Sequence, residues 1–385
     1  MATPNPDETS SPTESIPMTP ALQRIASMAS SALGHSIPFS EVMKIALYDE
    51  DVGYYSSGVV SIGKGGDFFT SVSTGKCFGT LLALHYETLW RQAGCPDQFL
   101  ALEQGAHDGQ FAVDLIQALR ETCPDLADRL LLCLIEPVER FRNLQVKQLK
   151  PLLGNRFRHV NSPVELAGLD WIESGVRGIF FSNELLDAFP VHRVVFQESG
   201  WSEIRITVRN GIPETVLGEP SSRALSDRLS ELPSDLPIGY TTEVNLAASD
   251  WVREVAQSGF KGEICIIDYG FIRDEYYARH RSDGTLRRYI QHKMDGDLLK
   301  DLGLADLTSH VEFSSLIESA EHAGLKIIEL TDQHHFLIEL AKPWLREMES
   351  KGVTGDTEPR IRQLQTLIHP STMGSAFKVL RFEAR

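Results

Sequence analysis

Polar residues that could bind a ligand or move a proton follow four short apolar runs in this sequence. The runs span residues 99–102, 130–135, 178–181 and 264–267, and the polar residues after them include Glu103, Glu136, Asn183, Glu184 and Asp268. In an open α/β sheet the carboxyl ends of parallel strands meet at one edge, and ligands bind there. We therefore expect these side chains to surround a single binding site.

A glycine turn, Gly105 to Gly109, follows the first run, and Glu136 follows the second. A strand, a glycine turn and a helix, with an acid after the next strand, form a nucleotide-binding layout in which the acid accepts ribose hydroxyls. A dinucleotide site needs G-x-G-x-x-G, but His107 and Gln110 occupy the second and third glycine positions. S-adenosylmethionine has a ribose, no phosphate, and cationic groups that suit acidic strand ends. The spacing favours this cofactor over a dinucleotide, and a doubly wound domain with ordinary turns is the alternative.

The elements that would position these residues alternate between strands and helices from residue 99 onward. Between the first two runs, apolar residues recur at helical spacing: Ala112, Leu115, Ile116 and Leu119. Strand, helix and strand in this order predict a doubly wound, mostly parallel α/β sheet with right-handed crossovers. Residues 191–210 alternate apolar and polar side chains around a Glu-Ser-Gly turn, which predicts an inserted hairpin.

Composition divides the chain into segments of different character. Residues 1–19 are rich in Ser, Thr, Pro and acid, without Lys or Arg, which predicts a disordered tail. Residues 20–95 predict helices around a glycine-rich loop. Residues 96–385 predict the α/β domain, with insertions at about 191–245 and 270–310 and with helices near the C-terminus.

Charge and cysteine usage exclude several classes of function. The 385 residues contain 37 Lys and Arg against 53 Asp and Glu, a net charge of −16 that repels nucleic acid and anionic lipid. The apolar runs are far shorter than the roughly 20 residues of a membrane span. Five scattered cysteines without a C-x-x-C pair suit a reducing compartment and predict no metal site. Because residues 1–19 resemble no targeting signal, we expect a cytoplasmic location.

Eight segments in collinear order, from about residue 38 to residue 380, resemble the MidA family of class I S-adenosylmethionine-dependent methyltransferases. They read FSEVMKIALYDEDVGYY, GGDFFTS followed by FG, LEQGAHDGQ, LIEPVERFRNLQ, FFSNELLDAFPVHRVVF, IIDYG, ADLTSHVEF and MGSAFKVL. Mitochondrial members of this family serve respiratory complex I assembly as protein arginine methyltransferases. The resemblance implies a Rossmann-like methyltransferase domain, S-adenosyl-L-methionine as cofactor, and a protein substrate such as a complex I subunit.

Site residues divide into two groups. The cofactor-binding candidates near the strand ends are Glu103, Gly105, Gly109 and Glu136, and the resemblance implies that Gly66, Asp67 and Thr70 of the glycine-rich loop also bind the cofactor. The catalytic candidates are Asn183, Glu184 and Asp187, because a carboxylate can pair with a guanidinium and localise the lone pair on its attacking nitrogen. Alternatively, Glu184 and Asp187 satisfy free amides at a helix start. Asp268 and Tyr269 are further candidates for the same edge.

Two positions depart from the family pattern. The glycine turn of the family usually reads E-L-G-P-G-R-G, whereas this chain reads EQGAHDG, with His107 at the middle glycine. His107 is a candidate general base or, alternatively, a solvated turn residue. A Pro-Glu pair after the glycine-rich loop is replaced by Val72 and Ser73. A protein arginine methyltransferase is the primary interpretation, and a non-catalytic assembly factor or binding protein on the same fold is the alternative.

Overall fold

The computed structural model describes residues 18–58, 71–290, 293–351, 358–370 and 373–385. The strands are β1 Ile37–Pro38, β2 Phe99–Gln104, β3 Leu130–Ile135, β4 Phe157–Val160, β5 Arg177–Asn183, β6 His192–Gln197, β7 Gly200–Arg209, β8 Ile212–Gly218, β9 Thr241–Val244, β10 Lys261–Phe271, β11 Arg287–Ile290, β12 Lys293–Asp295, β13 Asp306–Thr308, β14 Val311–Glu312, β15 Lys326–Asp332 and β16 Phe377–Ala384. The helices are α1 Pro20–Ser31, α2 Phe39–Tyr48, α3 Cys77–Gln92, α4 Gln110–Thr122, α5 Pro124–Arg129, α6 Glu139–Leu153, α7 Asp170–Glu173, α8 Arg223–Ser230, α9 Leu246–Gln257, α10 Arg273–Tyr276, α11 Phe313–His322, α12 Gln333–Lys351 and α13 Glu358–Ile368.

The central sheet has the strand order β15-β16-β10-β5-β2-β3-β4. The strands from β10 to β4 run parallel, and β16 lies antiparallel between β10 and β15. From β2 the chain builds outward through β3 and β4, then crosses to the other side of β2 to form β5. The strand order therefore reverses between β2 and β5, which is where doubly wound sheets bind their ligands. The prediction of a mostly parallel, doubly wound α/β fold is confirmed.

Both faces of this sheet are covered, which is why its strands appear as unbroken apolar runs in the sequence. All six residues of β3 are buried. On one face Leu132 packs in a core with the apolar stripe of α4 and with Leu81 of α3. On the other face Leu131 packs in a second core with Trp251 of α9. The sheet is thereby held rigidly enough to fix the residues at its carboxyl edge.

A second sheet of antiparallel strands, β1-β7-β6-β9 with β8 beside β7, lies outside the central sheet. The predicted hairpin is confirmed: β6 pairs with β7, and the pairing of Gln197 with Gly200 leaves a two-residue turn. Helices α1 and α2 share a core with this sheet and with the 270–310 segment, through residues such as Leu22, Ile206 and Leu307. This packing brings distant parts of the chain to the mouth of the central sheet.

The start of the fold is anchored at Thr19. Its hydroxyl accepts a hydrogen bond from the Leu22 N–H at 3.1 Å and donates to the Leu302 carbonyl at 2.7 Å. Residues 1–17 of the predicted tail lie outside the described residues. Within the described ranges, no helix combines the length and apolar character that crossing a membrane requires.

Candidate active site

A cavity of about 550 Å³ opens at the carboxyl edge of the central sheet, beside β2 and β5. This volume lies in the range of about 300–1,000 Å³ that is usual for small-molecule sites. The cavity brings together six of the predicted residues: Glu103, Gly105, Glu136, Asn183, Glu184 and Asp187. Gly109 begins α4 at its N-cap and does not line the cavity. The other three predicted residues, Gly66, Asp67 and Thr70, lie outside the described residues.

The glycine turn uses the left-handed backbone region at both of its glycines. Gly105 has φ +81° and Gly109 has φ +85°, and the Gly109 N–H donates to the Ala106 carbonyl at 2.7 Å. A Cβ at Gly109 would lie 3.3 Å from Gln145 Cγ, which is a tight contact. A Cβ at Gly105 would lie 3.4 Å from Leu185 Cδ1, an ordinary contact. Substitution at Gly105 is therefore strained by its backbone angle rather than by lack of space.

His107 also adopts the left-handed region, with φ +48°. This angle explains why the family pattern has glycine there, since left-handed backbone costs an L-residue roughly 1–2 kcal/mol. Two contacts hold His107 in place. Its ring packs against Phe141 with 4.8 Å between centroids, and its carbonyl accepts a hydrogen bond from Gln145 Nε2 at 2.7 Å. The turn thus keeps a glycine-like backbone without the middle glycine.

Glu103 places a buried carboxyl group at the end of β2. The residue is 5% exposed, and its Oε2 has no hydrogen-bond partner among the described residues. Burial, together with the nearby charge of Asp108, raises the pKa of Glu103 to about 8. A buried polar atom left without a partner costs free energy, so this oxygen calls for a donor or a cation. The ammonium group of S-adenosylmethionine is such a partner, and the residues present therefore fit this cofactor.

Glu136 is oriented by the backbone that follows β3. Its Oε1 accepts a hydrogen bond from the Val138 N–H at 2.9 Å, and its Oε2 accepts one from Gln145 Nε2 at 3.4 Å. Burial raises the pKa of Glu136 to about 7. Each carboxylate oxygen has a second lone pair, so Glu136 retains the capacity to accept from two neighbouring hydroxyls.

Glu184 stands at the end of β5 in a left-handed conformation, with φ +50°. Its N–H donates to the Ile267 carbonyl of β10 at 2.9 Å, which ties the turn to the next strand. Its Oε1 accepts hydrogen bonds from the Ser71 N–H at 2.9 Å and from Asn183 Nδ2 at 3.0 Å. Burial raises the pKa of Glu184 to about 7. Asn183 therefore contacts the neighbouring carboxylate and helps to orient it.

Asp187 lies one turn further along and is 5% exposed. Its Oδ2 accepts a hydrogen bond from the Tyr269 hydroxyl, and its Oδ1 has no hydrogen-bond partner in the described part of the chain. Burial raises the pKa of Asp187. The two carboxyl groups of this turn, Glu184 and Asp187, thus both line the cavity with oxygen atoms that can receive a donor.

Asp268 lies within β10 and has a different place from the one that its position after the apolar run 264–267 suggests. It is completely buried, and its Oδ2 accepts hydrogen bonds from the N–H groups of Leu185, Leu186 and Asp187, at 3.2, 2.9 and 3.3 Å. These are the free amides that the alternative interpretation assigned to Glu184 and Asp187. Asp268 is therefore a positioning residue under the turn.

Residues that the sequence reasoning missed form a second wall of the cavity, outside the central sheet. They are Tyr48 and Tyr55 from the N-terminal helical region, and Asp306 and Thr308 from β13. No regular spacing links them to the strand ends. The only signal was that Tyr48 and Tyr55 lie within one family-like segment, FSEVMKIALYDEDVGYY, and Asp306 and Thr308 within another, ADLTSHVEF.

The described lining of the cavity is strongly acidic. Seven carboxylate residues contribute to it: Glu103, Asp108, Asp114, Glu136, Glu184, Asp187 and Asp306. Lys76 is the one ammonium group in that lining. Within the described ranges, no group of three or more His, Cys, Asp or Glu is arranged to hold a metal ion. The field of these carboxylates favours organic cations as ligands.

Comparison with known families identifies the organic cation that this acidic cavity binds. Residues 81–331 match the model of a family described as "Putative S-adenosyl-L-methionine-dependent methyltransferase". The chain belongs to this family. The chain is also similar to a superfamily member from Burkholderia thailandensis, whose crystal structure contains bound S-adenosyl-homocysteine. The two structures superpose with a TM-score of 0.77 at 29% sequence identity, and the alignment covers 100% of this chain and 95% of the Burkholderia chain. The methyltransferase prediction and the S-adenosyl-L-methionine prediction are confirmed.

Two curated relatives are similar to this chain over most of its length. The protein arginine methyltransferase NDUFAF7 of Danio rerio is 26% identical over 362 residues, which is 89% of this chain and 82% of the relative. That of Homo sapiens is 24% identical over 384 residues, which is 94% of this chain and 82% of the relative. Both are named as mitochondrial proteins. This comparison contradicts the predicted cytoplasmic location, which is therefore wrong. That prediction relied on the lack of resemblance between residues 1–19 and a targeting signal.

Cofactor affinity of this methyltransferase should rise with pH between about pH 5.5 and 7. Glu103 has a pKa raised to about 8, so it is protonated in the free protein and must release its proton to pair with an ammonium group. The ammonium itself stays protonated over this interval, so affinity should increase by up to about tenfold per pH unit. Calorimetric titration in buffers of different ionisation enthalpy measures both the affinity and the protons released.

The matched controls for this pH dependence are two glutamate substitutions. Glu103→Gln removes one of the two titrating carboxyl groups and should make the affinity profile less steep, with the remaining slope due to Glu136, whose pKa burial raises to about 7. Glu198→Gln, in the exposed β6–β7 turn, should leave the profile as it is. An affinity that stays constant or falls from pH 5.5 to 7 would show that Glu103 does not meet a cationic part of the ligand.

Proposed function

We propose that this methyltransferase transfers the methyl group of S-adenosyl-L-methionine to an arginine side chain of a protein. The observation that carries the proposal is the pair of carboxyl groups, the half-buried Glu184 and the buried Asp187, on one turn whose N–H groups at residues 185–187 donate to Asp268. The names of the curated relatives, protein arginine methyltransferases, support the same acceptor.

Four described residues would hold the cofactor. Glu103 would pair with its ammonium group and Glu136 would accept from its ribose hydroxyls, while Gly105 and Gly109 shape the turn between them. The family resemblance adds Gly66, Asp67 and Thr70 of the glycine-rich loop. When bound, the cofactor supplies a methyl group on a positively charged sulfur.

The turn after β5 would bind and orient the acceptor. A guanidinium presents planar, forked donors, which match the carboxylates of Glu184 and Asp187. Pairing on one side of the guanidinium localises the lone pair on the nitrogen that must attack. Orientation of this kind supplies much of the rate enhancement in a direct displacement. Asp187, whose pKa is raised by burial, can receive the proton that the methylated nitrogen loses.

The resemblance extends the proposal to a subunit of respiratory complex I as the protein acceptor. The test is to incubate the methyltransferase and methyl-labelled cofactor with lysate from a deletion strain, and then with complex I purified from that strain. Acid hydrolysis of the labelled protein should yield methylarginine, and Glu184→Gln should abolish the labelling. Label recovered as methyl-lysine would refute the arginine acceptor. Cofactor binding without transfer to any protein would favour the alternative, a non-catalytic binding protein.

Glu136→Ala should weaken cofactor binding by about 1.5–3 kcal/mol, or roughly tenfold to a hundredfold. The reason is that the substitution removes the buried carboxylate that would accept the ribose hydroxyls, while the Val138 N–H and Gln145 lose only one partner each. Calorimetric titration with S-adenosyl-homocysteine measures the change. Glu139→Ala, an exposed glutamate at the start of α6, is the matched control and should bind normally. Equal affinities of the two variants would exclude Glu136 from the cofactor site.

A further inference from the structure

The second wall of the cavity, which adjoins the catalytic turn, is formed by segments outside the central sheet. Tyr48 ends α2, Tyr55 follows in the next turn, and Asp306 begins β13. The rings of Tyr48 and Tyr55 stack with 5.5 Å between centroids and an interplanar angle of 28°. The Tyr55 hydroxyl donates to Asp306 Oδ2 at 2.7 Å, and Asp306 is 3% exposed. Two aromatic side chains and a buried carboxylate therefore form one unit.

This wall is joined directly to the catalytic turn. The Tyr48 hydroxyl donates to the carbonyl of Ala188 at 2.8 Å, and Ala188 directly follows Asp187. The Ser309 N–H, three residues after Asp306, donates to the Asp187 carbonyl at 2.8 Å. The charges of Asp306 and Asp187 both add to burial in raising the pKa of Tyr48 and of Tyr55. The negative charges of Asp306 and Asp187 therefore both reach the hydroxyl groups of the two tyrosines.

The chemistry of the wall matches one kind of cation better than others. A guanidinium is planar, is weakly hydrated, packs on aromatic surfaces and donates in several directions at once. Asp187 Oδ1, which is buried and has no hydrogen-bond partner among the described residues, can accept from one side of such a group. Asp306 and the tyrosine rings can hold the other side. A lysine ammonium is a compact, strongly hydrated charge that would gain less from the aromatic surface.

We infer that Tyr48, Tyr55 and Asp306 form the acceptor subsite of this enzyme and select a guanidinium group over an ammonium group. The inference rests on the proposed arginine methylation and adds to it the residues that determine specificity. Glu184 and Asp187 then face the reacting end of the acceptor, while Tyr48, Tyr55 and Asp306 hold it from the adjoining second wall. The insertion that contains Asp306 has, on this inference, a role in selecting the substrate.

The test uses three small probes on the full-length protein in the presence of saturating S-adenosyl-homocysteine: N-acetyl-arginine amide, its neutral isostere N-acetyl-citrulline amide, and N-acetyl-lysine amide. Titration followed by calorimetry or NMR should show that the arginine probe binds more tightly than the other two. Asp306→Asn keeps the shape and one oxygen that can accept from the Tyr55 hydroxyl, loses the contact with the Leu307 N–H, and removes the charge. It should weaken binding of the arginine probe by about tenfold to a hundredfold and leave the affinity for S-adenosyl-homocysteine unchanged.

Asp274→Asn, an exposed acid of the same insertion, is the matched control and should bind every probe normally. Should Asp306→Asn not fold, Tyr55→Leu removes one aromatic face and should also weaken the arginine probe selectively. Unchanged affinity for the arginine probe in a folded Asp306→Asn variant overturns the subsite and leaves the proposed function intact. Equal affinity for the lysine and arginine probes overturns the guanidinium selectivity. If the arginine probe depends on Asp306 but Glu184→Gln leaves methyl transfer unchanged, the subsite stands and the proposed role of Glu184 fails.

Discussion

Glu184→Gln should lower turnover by roughly 10²–10⁴ while cofactor affinity barely changes. The substitution keeps the size of the side chain, and its amide oxygen can still accept from the Ser71 N–H and from Asn183 Nδ2. What it removes is the negative charge beside the nitrogen that becomes positive as the methyl group is transferred. The loss should therefore appear in kcat with the acceptor found in the labelling screen, and calorimetry with S-adenosyl-homocysteine should show normal binding.

Two comparisons make this result specific to Glu184. Glu198→Gln makes the same chemical change on an exposed turn and should leave turnover unchanged. Glu136→Ala should produce the opposite pattern, with weakened cofactor binding as its main defect. If Glu184→Gln weakened cofactor binding and spared turnover, the roles proposed for the carboxylates at the ends of β3 and β5 would have to be exchanged.

The residues at the strand ends could be predicted from the sequence for a physical reason. A parallel strand covered by helices on both faces must be apolar throughout, so its end is marked where the first charged or amide side chain appears. Glu103, Glu136 and Asn183 mark such ends. Because the carboxyl ends of parallel strands share one edge of the sheet, their convergence on one cavity followed from topology alone.

The second wall could not be predicted in the same way. Tyr55 and Asp306 are 251 positions apart in the chain, and their hydrogen bond depends on how helices α1 and α2 pack against the second sheet and the 270–310 segment. No periodicity in the sequence encodes that packing. The role of Asp268 was hidden for a related reason. Only the folded turn shows that the N–H groups of residues 185–187 converge on one carboxylate oxygen.

His107 shows a third limit of sequence reasoning. A glycine pattern indicates where the backbone must be left-handed, but the pattern alone does not say whether another residue can adopt that angle. Here the contacts of His107 with Phe141 and Gln145 offset the strain. The turn therefore keeps its conformation, and Glu103 and Glu136, the carboxylates proposed to bind the cofactor, keep their places.

Gly105→Val should abolish measurable cofactor binding while the protein remains folded. Gly105 has φ +81°, which a β-branched residue adopts only at a cost of about 1–3 kcal/mol. Its Cβ would already contact Leu185 Cδ1 at 3.4 Å, so the two methyl groups of valine must displace either Leu185 or the turn itself. Since Glu103 lies two residues before this turn, the displacement moves the carboxylate that would bind the cofactor's ammonium group.

Gly324→Val separates loss of stability from loss of binding in this experiment. Gly324 has φ +84°, and a Cβ there would meet nothing within 4 Å, so valine brings the same backbone strain at a position just after α11. Thermal denaturation should show that the backbone strain destabilises Gly324→Val, and that Gly105→Val is destabilised at least as much, because it also meets Leu185. Calorimetric titration with S-adenosyl-homocysteine should then find normal affinity for Gly324→Val and no binding for Gly105→Val. A folded Gly105→Val protein that bound as tightly as the unmodified chain would mean that the cofactor does not lie against this turn.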